Sequence, residues 1–398
     1  MQFAERLNNV ETSAIRELFK LLGKPGIISF AGGFPDSALF DVAGIRAASE
    51  AALTQEPGAA LQYGATEGYQ PLREQIAAFM AGKGVVDVAP TDFVVTTGSQ
   101  QALDLLGKTM ISPGDKVIVE GPTFLATIQC FRLYGAEVIS APIDDQGVDT
   151  EALEKLIAEH QPKMVYLIPT FGNPSGATLS LERRKKVLEL AVKYQTLVVE
   201  DDPYGDLYFD AAPPASLLAL SSEVPGSRDW LAHCGSLSKV LSPGLRIGWL
   251  VAPEALRERA VMCKQFSDAN TSTFAQATAA QYLKAGHMPA TLAKVRAVYA
   301  ERAQAMGDAL RKELGDAVSF VAPQGGLFLW VKLTGARGQL QDAGVLAKRA
   351  IDKGVAFVPG VPFFAQNPDA TSFRLSFATA DVAKIQDGIA RLGQALRG

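Results

Sequence analysis

The chain has 398 residues, 48% of them hydrophobic and 20% charged, with a formal net charge of −4. That composition excludes disordered and fibrous classes, and the length allows a sizeable buried core. The mild acidity argues against a nucleic-acid partner, and no uninterrupted apolar stretch reaches the roughly 18 residues of a membrane helix.

The densest basic run, Arg183-Arg184-Lys185-Lys186, reads as a solvated helix face. The N-terminus carries charge without the apolar core of a signal peptide, so a cytoplasmic protein is expected. Cys130, Cys234 and Cys263 form no C-x-x-C, and His160, His233 and His287 show no metal-binding spacing. No metal is expected.

Residues 1–55 read as helix, a short strand at 27-IISF and a Gly/Pro-rich turn, AGGFPD. From there to about residue 290, apolar strand patterns alternate with helical ones. Strands are expected at 93-FVVTT, 116-KVIVE, 137-EVIS, 163-KMVYLI, 196-TLVVED, 231-LAHCGS and 247-IGWLVA. Helices are expected at 99-SQQALDLLGKTM, 149-DTEALEKLIAEH and 180-SLERRKKVLELAVKY. Strands this continuously apolar are buried on both faces, so the fold class is α/β: a mostly parallel central sheet with helices on both faces. A long helix near 288–314 leads into short strands at 317-AVSFVA, 326-GLFLWVKL, 355-VAFVP and 372-SFRLSFA, with helices near 341–353 and 380–396. That reads as a smaller α+β domain over 291–398, joined by residues 1–55, beside a large domain over 56–290.

In sheets of this kind ligands collect at the loops after the strands' C-terminal ends. At 96-TTGSQQALDLL, Gly98 permits a tight turn and Ser99 opens a helix whose N–H groups suit a phosphate; a plain serine cap is the alternative. In 233-HCGSLSKVLSPGLRIGW-249, Ser236, Ser238 and Arg246 offer further phosphate donors. Lys239 there offers an amine able to form an imine if partly desolvated. In 198-VVEDDPYGDLYF a strand ends in three successive acids, which suits the counter-ion of a protonated ring nitrogen. Tyr204 and, in 169-PTFGNPSGATLS, Asn173 suit a phenolate oxygen on the same ring. Arg374, in 372-SFRLSFA, suits a substrate carboxylate. Together these parts describe pyridoxal 5'-phosphate carrying an amino acid.

The same segments, with TSAIRELFK, LQYGATEGYQPLREQIA, GPTF and FVPGVPFF, resemble the fold-type I pyridoxal-phosphate enzymes, specifically class I/II aminotransferases. Within these the sequence looks closest to the 2-aminoadipate and kynurenine/aminoadipate branch. The resemblance covers nearly the whole chain and implies an aspartate aminotransferase-like fold and ping-pong transamination. It implies that Lys239 forms the Schiff base with the cofactor. The family spacing Asp-x-x-Tyr, ending at Tyr204, makes Asp201 the ring-nitrogen partner, and Asn173 and Tyr204 the phenolate contacts. Gly98, Ser99, Gln100, Ser236, Ser238 and Arg246 match the phosphate cup, and Phe124 the aromatic ring stacked on the cofactor. Tyr63 resembles a tyrosine that reaches the phosphate of a neighbouring subunit, which implies a homodimer with active sites at the interface. Arg374, Gly33 and Asn173 match the grip on the substrate's α-carboxylate end, and Arg16 an arginine for a distal carboxylate. The implied partners are an α-amino acid (2-aminoadipate, an aromatic or a branched-chain one) and a 2-oxo acid such as 2-oxoglutarate. A carbon–sulfur lyase shares the cofactor residues. An aminotransferase-fused regulator would need a further domain before the core, and only about thirty residues precede AGGFPD, too few for one.

Overall fold

A computed structural model describes residues 1–7, 26–335 and 340–398. After a two-residue strand β1 (Ile28–Ser29), eight strands make one sheet: β2 (Phe93–Thr97), β3 (Lys116–Gly121), β4 (Glu137–Asp144), β5 (Gly147–Val148), β6 (Met164–Leu167), β7 (Leu197–Asp202), β8 (Leu231–Ser236) and β9 (Ile247–Val251). Their order is β2-β9-β8-β7-β6-β3-β4-β5. From β8 through β4 all neighbours are parallel. β9 runs against both β2 and β8, and β5 folds back on β4. The expected mostly parallel sheet is therefore present, with β9 inserted in reverse.

Every residue of β6, β8 and β9 is buried, which requires cover on both faces. The helix Ser99–Met110 supplies part of it, through the stripe Ala102, Leu103, Leu105 and Leu106 packed on β2, β8 and β9. The helix Leu181–Tyr194 packs on β7 and is capped by Ser180, whose hydroxyl accepts from the Arg183 backbone N–H. Within that helix the expected solvated basic face is wrong at one position. Arg184 is fully buried, and its guanidinium donates to the carbonyls of Leu179 (2.8 Å), Pro169 (2.7 Å) and Ala215 (3.3 Å) and to the Thr170 hydroxyl (2.8 Å). The charge is tolerated inside because each guanidinium nitrogen donates to an oxygen, and the result is a clamp on the loop that carries Asn173.

A second, antiparallel sheet has the order β10-β11-β14-β13, formed by β10 (Val318–Phe320), β11 (Phe328–Leu333), β13 (Val358–Pro359) and β14 (Ser372–Ser376). The segment 355-VAFVP, expected as one strand, divides: β12 (Val355–Ala356) pairs in parallel with β1, while β13 pairs with β14. Phe357, at the break, is buried against Phe373, ring centroids 4.8 Å apart. The N-terminal segment touches both regions. β1 pairs with β12, and the helix Val42–Gln55 lies on the helix Thr273–Lys284, where the Tyr282 hydroxyl donates to Asp41 (3.0 Å). Among the described residues no helix is long and apolar enough to cross a membrane.

This topology decides where chemistry can gather. β2, β3, β6, β7 and β8 all point the same way, so their C-terminal ends share one edge of the sheet. Because β9 is reversed, its N-terminal end reaches that edge too.

Candidate active site

Lys239 lies just beyond β8 and is half-buried, its Nζ donating to the Gly33 carbonyl at 2.8 Å. Burial lowers its pKa to about 8, helped by the positive charges of Arg374 and Arg246 and opposed by Asp201. At pH 7 such a lysine is neutral about one time in ten, against roughly one in 2,500 for a free side chain. It is an available nucleophile and base.

The three acids at the end of β7 occupy three different environments. Glu200 is tied to backbone and histidine, accepting from the N–H groups of Leu217 (2.7 Å) and Leu218 (3.0 Å) and bonded to His233 Nδ1 (2.8 Å). Asp202 caps a turn by accepting from the Gly205 N–H at 2.9 Å. Asp201 is different. Its Oδ2 accepts from the Tyr166 hydroxyl at 2.7 Å, while its Oδ1 is buried with no hydrogen-bond partner among the described residues. Burial raises its pKa to about 7, although the Tyr166 hydrogen bond pulls the other way. An orphaned carboxylate oxygen inside a protein is costly, and a cationic N–H is the partner that would satisfy it.

At the neighbouring strand ends lies a cradle for an anion. Gly98 has a φ of +77°, and a Cβ there would stand 2.3 Å from Arg246 Nη2. A Cβ on Gly248 would stand 2.6 Å from the Ser99 nitrogen, so β9 passes against this turn as only glycine permits. No side chain caps the helix Ser99–Met110, which leaves its N-terminal donors for a ligand. Arg246, immediately before β9, donates to the Thr97 carbonyl at 3.2 Å and so ties the two halves of the cradle together. Ser236 and Ser238 are buried beside them, the Ser236 hydroxyl accepting from the Ser238 N–H at 3.1 Å. The Gln100 side chain is exposed. The glutamine built into this corner is Gln101, which accepts from the Thr97 N–H (2.7 Å) and Lys264 (3.0 Å) and donates to Asp268 (2.7 Å).

Arg374 comes from β14, in the second sheet, and meets the large one. Its Nη1 donates to Asn173 Oδ1 at 2.7 Å and its Nη2 to the Ala31 carbonyl at 2.8 Å, and its Nε is buried without a partner among the described residues. The guanidinium lies over Phe328 and Phe363, 4.3 and 5.0 Å from the ring centroids, and burial lowers its pKa to about 10. Gly33 is close by: a Cβ there would lie 3.8 Å from both Arg374 terminal nitrogens. Tyr204 is buried edge-on to Phe328, ring centroids 5.9 Å apart, and burial pushes its phenol pKa up. Phe124, half-buried, precedes the helix Leu125–Leu133. A cavity of about 770 Å³ is lined by Phe328, Ser175, Gly176, Trp330 and Phe364 among others. Lys239, Asp201 and Arg374 do not line it, so the reactive groups, and not this cavity, define the site.

Of the other residues singled out in the sequence, Tyr63 is 86% exposed, and Arg16 lies outside the described residues. The sequence reading missed Tyr166. Tyr166 pairs with Val199, two residues before Asp201 and on the same face of the sheet. A tyrosine is long enough to reach that diagonal neighbour, but only the strand register reveals it.

A family model described as "Aminotransferase class I and II" matches residues 27–392. The 2-aminoadipate transaminase of Thermus thermophilus is 42% identical over 100% of this chain and 96% of its own length. Aromatic-amino-acid aminotransferase 1 of Thermococcus litoralis is 37% identical, over 99% of this chain and 94% of its own. Among solved structures, the α-aminoadipate aminotransferase LysN of Thermus thermophilus, complexed with N-(5'-phosphopyridoxyl)-L-leucine, is 39% identical. It superposes with a TM-score of 0.90 over 100% of this chain and 97% of that one.

Proposed function

The chain belongs to the class I and II aminotransferases, and from that premise we propose how its residues carry the reaction and which substrates they take. The enzyme is a pyridoxal-phosphate-dependent aminotransferase. The site fits that cofactor on its own terms: an amine of lowered pKa, an orphaned carboxylate oxygen and a glycine-lined anion cradle meet at one sheet edge. The phosphate would be held by Gly98, Ser99, Gln100, Ser236, Ser238 and Arg246, the ring by Asp201, Phe124, Asn173 and Tyr204. When bound, pyridoxal phosphate supplies an aldehyde that takes up the amino group and a cationic ring that accepts the electron pair left on the α-carbon.

Lys239 would hold the cofactor through its amine and would serve as the base that takes the α-proton and later returns a proton. Its lowered pKa suits both directions of transfer. Arg374 grips the substrate α-carboxylate, with Gly33 and Asn173 beside it. The observation carrying this assignment is the pairing of buried Arg374 with Asn173, 201 residues apart in sequence, next to Lys239. We propose a dicarboxylic or aromatic α-amino acid as donor, with 2-oxoglutarate as acceptor and Arg16 for a distal carboxylate. The support is the naming of the two relatives. Half-reactions followed by absorbance against an amino-acid panel test it, and 2-aminoadipate is expected to react faster than leucine. Equal rates for the two would dismiss the Arg16 assignment, and ammonia and pyruvate released without an acceptor would point to a lyase.

We propose further that the enzyme is a homodimer, with Tyr63 serving the phosphate of the other subunit. Tyr63, Leu61 and Phe274 are exposed apolar side chains on adjoining segments, which the Thr273 hydroxyl ties together through the carbonyls of Ala60 (3.1 Å) and Gln62 (2.8 Å). Contiguous exposed apolar surface marks an interface. Light scattering of the active enzyme should give twice the 42.3 kDa chain mass; a fully active monomer would overturn the assignment. The three cysteines are free thiols, in keeping with the proposed cytoplasmic location. The proposed division of the chain remains 1–55 with 291–398 as the small domain and 56–290 as the large one. The β1–β12 pairing supports it, while the packing of the helix Val42–Gln55 on Thr273–Lys284 pulls part of the first segment toward the large domain.

A further inference from the structure

We infer that Tyr166 is a positioning residue, whose hydroxyl holds Asp201 so that Oδ1 faces the cofactor's ring nitrogen and the proton between them stays on the ring. The inference rests on the reading of Asp201 as the ring's counter-ion. Tyr166 is fully buried on β6, and its hydroxyl is the one hydrogen-bond donor to Asp201 among the described residues. Its ring is fixed edge-on against Phe131, centroids 6.0 Å apart and planes 83° apart. Phe131 belongs to the helix Leu125–Leu133, which begins directly after Phe124. One buried phenol therefore braces both the Asp201 carboxylate and the helix that follows Phe124.

The physical consequence concerns proton affinity. A proton shared by a carboxylate and a ring nitrogen sits on the stronger base. Asp201 is buried, which makes it a strong base, and neighbouring Asp202 adds to this. His233 and Lys239 act against it through space, whereas Tyr166 acts by direct donation to the carboxylate. Stabilising the charged form by that donation weakens the carboxylate as a base and leaves the ring cationic. Tyr166 needs no contact with substrate to do this.

The test uses holoenzyme reconstituted with pyridoxal phosphate labelled with ¹⁵N in the ring, observed by NMR. Tyr166→Phe is expected to move the ring ¹⁵N resonance from the pyridinium range toward neutral pyridine. In cofactor-free protein carrying ¹³C-labelled aspartate, the Asp201 carboxyl should titrate at higher pH in the variant. Phe131→Leu disturbs the packing but keeps the hydroxyl, and should leave the ring resonance in place. Site-specific Tyr166→3-fluorotyrosine keeps the ring and strengthens the donor, so it should move the resonance further into the pyridinium range. That variant also decides the matter if Tyr166→Phe does not fold. Tyr166→Phe with an unmoved resonance, or a fluorinated variant moving it the wrong way, overturns the inference. If Asp201→Ala also leaves the resonance unmoved, the counter-ion reading itself falls; if Asp201→Ala moves it and Tyr166→Phe does not, only the role of Tyr166 falls.

Discussion

Lys239→Ala should abolish turnover and leave the cofactor bound without a covalent link. Loss of general acid–base function alone removes a factor of about 10²–10⁴, and loss of the attachment point adds to that. Borohydride reduction followed by mass spectrometry should show the cofactor's mass on a peptide containing Lys239 in the wild type and on no peptide of the variant. A variant with wild-type turnover would sink the assignment. The wild type also carries a pH signature. With its pKa near 8, the amine is mostly protonated below pH 8 and mostly neutral above it. Reaction of cofactor-free enzyme with the aldehyde should therefore accelerate as pH rises through 8 and level off beyond, well before an ordinary lysine would titrate.

Asp201→Ala should slow α-proton abstraction by about 10²–10³, the usual cost of removing one aligned electrostatic group from an active site. The phosphate cradle is built from other residues than this carboxylate, so cofactor affinity should fall far less than the rate. Asp202→Ala is the control. Its carboxylate serves the turn at Gly205, and if that variant alone lost proton abstraction, the choice among the three acids would be wrong. Stability gives a second readout. Burial raises the Asp201 pKa from 3.8 to about 7, so between those values the folded, cofactor-free protein holds a proton that the unfolded chain has lost. Its stability must then decrease as pH rises from about 4 to about 7 and stop decreasing above that. Asp201→Ala should remove this contribution, which denaturant titrations of cofactor-free protein at several pH values would reveal.

Much of this was legible in the amino-acid order because the features were local. Seven apolar runs became strands, since a strand covered on both faces of the sheet must be largely apolar along its length. Gly98-Ser99 and Lys239 stood out because a glycine turn, a helix start and a lysine amid small residues leave marks within a few positions. What escaped was long-range. Arg184 sat in a run of four basic residues and looked solvated, although its partners come from residues 169–170, 179 and 215. The reversal of β9 leaves no trace in its apolar composition. The break at Phe357 depends on which of two sheets each half joins. Tyr166 resembled any buried core tyrosine until strand register set it diagonal to Asp201. The choice of Asp201 over its neighbours needed the family spacing, and the unpaired Oδ1 now supplies a physical reason for it.

The reversed strand also bears on how the enzyme is made. Among the described residues β2 is an edge strand whose one neighbour is β9, and Phe93 pairs with Val251 at the far end of that contact. At about 5–20 residues per second on the ribosome, β2 waits roughly 8–30 s for that neighbour to be synthesised. During this interval its apolar side chains lack their sheet, and the nascent polypeptide has no formed pocket for the vitamin's phosphate. Cofactor capture is thus deferred until most of the large sheet has emerged, and the unpaired edge is the segment a chaperone would have to shield.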